Sequence, residues 1–178
     1  MRLFFKGMDG IFVGEEHQGG TDNLLCCFDP TYDGWTKVDT KGTTPSPRKY
    51  YAAAVVGCKA YIHGGYRSYT SLRDLHELDM ETMTWTHLTD AGPMDYGHSL
   101  TPSPAGERFF LIAKKEIWTY DRCEGTWEKD AEFGLPEKMC RHCAIPRKTE
   151  TGISILCMGG NNSDNDYPRY IVVIGVEC

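Results

Sequence analysis

The sequence predicts an all-β chain built from repeated four-stranded units, and three observations carry that prediction. First, three segments share one order: a turn, an apolar run ending in an acidic residue, a short polar turn, then tryptophan. They run Asn23 to Asp29 before Gly34-Trp35, Asp74 to Asp79 before Thr84-Trp85, and Glu116 to Asp121 before Thr126-Trp127. The three tryptophans stand 50 and 42 residues apart, the signature of an internal repeat. Second, the 19 Gly and 9 Pro fall mostly between short apolar runs, as turns fall between short strands. Third, Gly pairs at Gly64-Gly65 and Gly159-Gly160 close two of those runs. At 40% hydrophobic and 12% aromatic the chain is too apolar for a disordered tail, and 178 residues suffice for a real core.

The second unit shows the logic of a blade. Tyr51 to Gly57 is a small-residue strand suited to a crowded inner wall, and Lys59 to Gly65 is the next strand, ending in its Gly pair. Asp74 to Asp79 alternates as a half-covered strand should, and Trp85 opens the fourth, where its ring can fill the wedge between blades. The first unit fits Arg2 to Lys6, Gly10 to Glu15, Asn23 to Asp29 and Trp35 to Val38. The third fits His98 to Pro102, Arg108 to Ala113, Glu116 to Asp121 and Trp127 to Lys129. Ala113-Lys114-Lys115 replaces its Gly pair, which predicts a tight hairpin. The fourth fits Cys140 to Ile145, Ile153 to Gly160 and Tyr170 to Gly175, with no fourth strand before Cys178. The expected architecture is an incomplete β-propeller of about three and three-quarter blades, over residues 1–40, 41–91, 92–133 and 134–178. A propeller closes at four to eight blades. The chain is therefore expected to be a fragment, a short isoform, or a copy whose open end blades self-associate through exposed edges.

Composition narrows the partners. No window is long and apolar enough to cross a membrane, and the apolar stretch after Met1 is too short for a secretory signal. A net charge of −6 without a basic block argues against nucleic acid. Cys26, Cys27, Cys58, Cys123 and Cys157 lie in or beside apolar runs and are expected to be reduced, buried thiols. That places the chain in the cytoplasm or nucleus.

The Gly pair, Asp74-Leu75-His76-Glu77-Leu78-Asp79 and tryptophan together resemble the kelch repeat, whose period is about 50 residues. Pro45-Ser46-Pro47-Arg48, Gly64-Gly65 with Asp74-Leu75-His76 downstream, and His98-Ser99-Leu100-Thr101-Pro102 are similar to the kelch substrate receptors of cullin-RING ubiquitin ligases. The resemblance implies a propeller that grips a client's C-terminal tail on one face, with ligase components as further partners. In those receptors two Arg after a Gly pair and a Ser in the next blade hold the tail carboxylate. Here these positions fall on Tyr66, Ser71 and Tyr96, with Arg67 and Arg73 nearby in the same segment. The docking box and BTB region of such receptors are expected to be missing from this chain.

No catalytic constellation, metal site or cofactor is expected. Cys140-Arg141-His142-Cys143 has ligand-like spacing but no second Cys/His pair to complete a zinc site. His63, His76 and His98 have no nucleophile or acid at triad-like spacing and read as structural. Asn161 to Asp166 has calcium-loop composition without the Gly and distal Glu such a loop needs. The alternative to a protein- or peptide-binding adaptor is a kelch-fold enzyme, either a metal oxidase or a sugar-acid epimerase. The candidate binding residues are Tyr66, Arg67, Tyr69, Ser71 and Arg73 in one loop, Arg48 on the connection into that blade, where Lys49 and Tyr50 are expected to share the face, and Tyr96.

Overall fold

The computed structural model describes residues 3–6, 9–13, 25–29, 34–132, 140–150, 152–161 and 172–177, and among these every regular element is a strand. The first sheet is an antiparallel meander of β1 (Leu3–Lys6), β2 (Asp9–Val13), β3 (Leu25–Asp29) and β4 (Gly34–Val38). The second holds β6 (Ala52–Val56), β7 (Lys59–Arg67), β8 (Thr70–Asp79) and β9 (Thr84–Thr89), joined at its outer edge by β5 (Lys41–Gly42). The third holds β10 (Ser99–Pro102), β11 (Arg108–Ala113), β12 (Glu116–Asp121) and β13 (Thr126–Glu132). The fourth holds β14 (Cys143–Lys148), β15 (Gly152–Met158) and β16 (Val172–Glu177). The first strands β6, β10 and β14 lie side by side, so the sheets are blades of an incomplete β-propeller.

Strand alternation explains the packing. In β6, Ala52 and Ala54 face the third blade, while Ala53 and Val55 face the first. Leu25 of the first blade packs with Ile62, Leu78 and Trp85 of the second. Tyr61 and Leu75 of the second meet Phe109, Leu111 and Tyr120 of the third. Phe110, Ile112 and Ile117 then meet Ile155 and Cys157 of the fourth. Each fully buried large side chain is worth about 1.5–3 kcal/mol over its exposed state. The core is therefore a series of blade-to-blade wedges. Trp85 fills one and Trp127 packs at the edge of the next.

In the second and third blades the acid before the tryptophan has a local job. Asp79 Oδ1 accepts the amides of Glu81 and Thr82, and Asp121 Oδ1 accepts those of Cys123 and Glu124. Both carboxylates thereby close the turn into the fourth strand of their blade. The hairpin at Lys114-Lys115 is tight, with Ala113 opposite Glu116 and Lys114 at φ +55°.

Three expectations change. The Gly pair of the second blade does not end a strand: β7 continues through it to Arg67, and β8 begins at Thr70. Gly64 (φ +58°) and Gly65 (φ +103°) form a bulge that shifts the register between His63 and Gly65, and a bulge can bend a strand without ending it. The first strand of blade four begins at Cys143, because Arg141 at φ +58° kinks the chain just before it. Cys58 and Cys123 lie in exposed turns, whereas Cys157 is buried and Cys26 half-buried. The side chain of Cys27 and residues 162–166 of the acidic loop lie outside the described residues.

β5 was not anticipated. It pairs in parallel with β9, Lys41 opposite Thr84, and covers the edge of the second blade. Gly42 sits at φ +79°, and a Cβ there would lie 2.1 Å from the Trp85 carbonyl oxygen.

The thiols supply a direct check. Under native conditions an alkylating reagent should modify Cys58, Cys123 and Cys143, all exposed. Cys157 should stay protected, because burial, with a smaller push from Cys143, raises its thiol to about 11. Peptide mapping that found Cys157 labelled as fast as Cys58 would contradict the packing of the third and fourth blades.

Candidate binding face

The chain enters β6, β10 and β14 through short lead-in segments that make one shared backbone kink. Tyr50, Gly97 and Arg141, each two residues ahead of its strand, adopt φ of +57°, +71° and +58°. The Gly97 amide donates to the Tyr50 carbonyl at 2.7 Å, and the Arg141 amide donates to the Gly97 carbonyl. The result is a main-chain ladder running from blade to blade. A left-handed conformation costs a non-glycine residue about 1–2 kcal/mol. Gly97 shows that glycine can occupy a rung, yet Tyr50 and Arg141 bear the strain.

In the second and fourth blades the kink is fastened beside the Gly pair. Lys49 and Tyr66 exchange two backbone hydrogen bonds of 3.0 and 2.7 Å, and Cys140 and Asn161 repeat the exchange at 3.1 and 3.0 Å. A Cβ on Gly65 would lie 2.8 Å from the Lys49 carbonyl oxygen, and one on Gly160 would lie 2.5 Å from that of Cys140. Only glycine permits this approach.

Beneath the face lies a buried polar cluster. Arg48 grips Asp74 with both terminal nitrogens, at 2.6 and 2.7 Å, and donates to the carbonyls of Gly64 (3.1 Å) and Ser46 (2.9 Å). His76 Nε2 donates to Asp74 Oδ2, the oxygen also held by Arg48, at 2.9 Å. Burial works against the charged form of Asp74. The His76 and Arg48 hydrogen bonds and the guanidinium charge outweigh it, holding the carboxyl well below the usual range. Across the blade boundary His63 Nδ1 meets His98 Nε2 at 2.9 Å, and Ser99 Oγ meets His142 Nε2 at the same distance. Desolvation pushes His63 down to about 3 despite the opposing pull of Asp74, so it is neutral near pH 7.

Above the ladder the side chains converge. The rings of Tyr66 and Tyr96 lie 5.2 Å apart and those of Tyr50 and Tyr96 6.2 Å. Lys49 Nζ is 5.7 Å from the Tyr50 ring centre and 5.8 Å from that of Tyr66, and the Arg141 guanidinium is 4.8 Å from Tyr50. Tyr50 and Tyr96 are each 41% exposed, so the cluster forms a surface rather than a core. Three blades contribute to it. A concavity of about 930 Å3 lies away from this cluster, at the far ends of β10 and β14, lined by residues including Phe110, Thr119, Lys148 and Ile153.

The expected binding residues divide accordingly. Tyr66 and Tyr96 come together in the cluster, and Ser71 lies opposite Tyr66 in the hairpin register. Arg67 alternates to the other side of the strand from Tyr66. Tyr69 is 95% exposed at the hairpin tip, where Ser68 and Tyr69 both have positive φ, and Arg73 is exposed on β8. The expected loop is thus a strand hairpin with a two-residue turn. Arg48 is only 2% exposed and saturated by its ion pair, so it cannot reach a partner from there. Tyr50, Lys49 and Arg141 complete the cluster. Lys49 and Tyr50 were expected on the connection into that blade, whereas Arg141 was not: its signal, the position ahead of His142 that matches Tyr50 ahead of Tyr51, was obscured by the Cys140/Cys143 spacing. Among the described residues no group of three or more metal-ligating side chains assembles.

Comparison with known proteins agrees with this architecture. The KLHDC2/KLHL20/DRC7 Kelch-repeats domain model matches residues 10–160. The chain therefore belongs to the kelch-repeat family. Within that family it is 31% identical over 135 residues to Kelch domain-containing protein 2 of Bos taurus, an alignment covering 70% of this chain and 33% of that protein. It is 26% identical to Kelch domain-containing protein 10 of Rattus norvegicus, covering 91% of the chain and 42% of the relative. It is 35% identical over 88 residues to Kelch domain-containing protein 3 of Bos taurus, covering 47% and 23%. The chain spans less than half the length of each of these relatives.

Proposed function

We propose that this domain is a protein-binding adaptor that takes a peptide segment of its partner across the face formed by Tyr50, Tyr66 and Tyr96. The supporting observation is the convergence of three tyrosines and two cations from three blades on one rigid ladder, two of them on strained backbone. Tyrosine and arginine are the side chains that most often dominate protein interfaces. Selection of a displayed random peptide library against the chain tests the reading. Enriched peptides should lose about tenfold or more in affinity with a Tyr50→Ala/Tyr96→Ala variant that unfolds at an unchanged denaturant concentration. Undiminished binding to that variant would remove the site.

A finer reading, substrate recognition within a cullin-RING ubiquitin ligase, is supported by the kelch family membership. It requires that a ligase adaptor co-purify with a longer protein containing this domain, and failure to do so would count against it. The exposed free thiols of Cys58, Cys123 and Cys143 suit a reducing compartment, cytoplasm or nucleus.

A further inference from the structure

We infer that this face takes an acidic stretch from within the partner's chain, with two carboxylate side chains meeting Lys49 and Arg141 beside Tyr50. The inference rests on the binding role proposed above and assigns its ligand chemistry. Arg48, Lys59, Arg108, Lys114 and Lys129 each pair with a described carboxylate. Lys49 and Arg141 pair with none among the described residues, although the chain carries 25 acidic residues against 19 Lys and Arg. Instead both are held against the Tyr50 ring. The carboxylate beside the cluster, Asp95, is 5% exposed and already engaged by the Tyr96 amide (2.8 Å) and by Lys114 (3.5 Å). The rim therefore presents positive charge and phenol hydroxyls, all hydrogen-bond donors, with nothing described to neutralise them.

Two features of the geometry narrow the ligand. Cations already lie against the Tyr50 and Tyr66 rings, so a cationic ligand would meet repulsion instead of an open aromatic face. The two cations spring from lead-ins separated by the Gly97 rung of the blade between them, whereas capture of one chain terminus needs cations converging on a single carboxylate. Alternate side chains of an extended peptide stand about 7 Å apart on one side, a spacing suited to two separated cations.

The test uses the whole chain and two random peptide libraries, one with C-termini fused to the display scaffold and one with free C-termini. The fused library should yield peptides with paired acidic residues. Their affinity should fall with added salt, and by about tenfold or more in a Lys49→Met/Arg141→Met variant. Unchanged stability of that variant keeps the loss interpretable. If tyrosine-dependent peptides emerge but are neutral, or emerge only with free C-termini, the inference fails and the binding reading stands. If neither library yields a tyrosine-dependent peptide, the binding reading itself fails and takes the inference with it.

Discussion

Replacing Arg48 with alanine is expected to cost the domain about 3 kcal/mol, because the Asp74 carboxylate, only 18% exposed, would keep just its bond to His76. Arg48 supplies both terminal nitrogens to Asp74 and a further bond to the Gly64 carbonyl, so one truncation strands several acceptors. Urea denaturation of the full chain measures the loss. An Arg48→Met/Asp74→Leu double variant should recover much of it, since replacing both partners leaves no lone charge. The same pair sets an acid limit. The folded-state carboxyl of Asp74 lies below its unfolded value of about 4. Its contribution is therefore complete above that value and is lost as the pH falls through the folded pKa. An Asp74→Asn variant should be less stable at neutral pH and should lose less on acidification. An Arg48→Ala chain as stable as the parent would show that the ion pair contributes nothing net.

Gly64→Ala is the second large effect, about 2–5 kcal/mol. The residue would adopt φ +58°, costing about 1–2 kcal/mol in strain. Its Cβ would also lie 2.8 Å from the Asp95 carbonyl oxygen, 2.9 Å from His98 Cε1 and 3.1 Å from the Leu72 carbonyl oxygen. Overpacking of this kind adds about 1–3 kcal/mol. Gly57 provides the control, since it shares φ +58° but has nothing within 4 Å of the added atom. Gly57→Ala should therefore cost the strain alone. Equal losses at the two sites would mean that the lead-in to the third blade yields freely. A larger loss at Gly64 should also weaken peptide binding, because Tyr96 rides on that lead-in.

The blades were legible because their signals are local. Tryptophan spacing, acid-capped turns and Gly pairs each depend on residues a few positions apart. The hairpin beyond Gly65 was not, since a Gly pair serves equally to end a strand or to bulge it, and only the pairing of Tyr66 with Ser71 and Arg67 with Thr70 decides. Arg48 was misjudged for a related reason. Its partner Asp74 lies 26 residues away, and nothing around Arg48 announces burial. Tyr66, Tyr96, Lys49 and Tyr50 were all legible as candidates in the sequence, though their convergence was not. Arg141 was hidden because two flanking cysteines suggested a different chemistry.

The ladder through Tyr50, Gly97 and Arg141 is carried by main-chain amides and carbonyls, so it does not depend on which side chain occupies a rung. That separates architecture from specificity. A new residue at a rung changes what the domain displays while leaving the wedges between blades intact. The tolerated alphabet is limited mainly by the strain of a left-handed backbone. Partner preference in such a domain can therefore drift through single exchanges at rungs, each bearing at most a modest stability penalty, without passing through a misfolded intermediate.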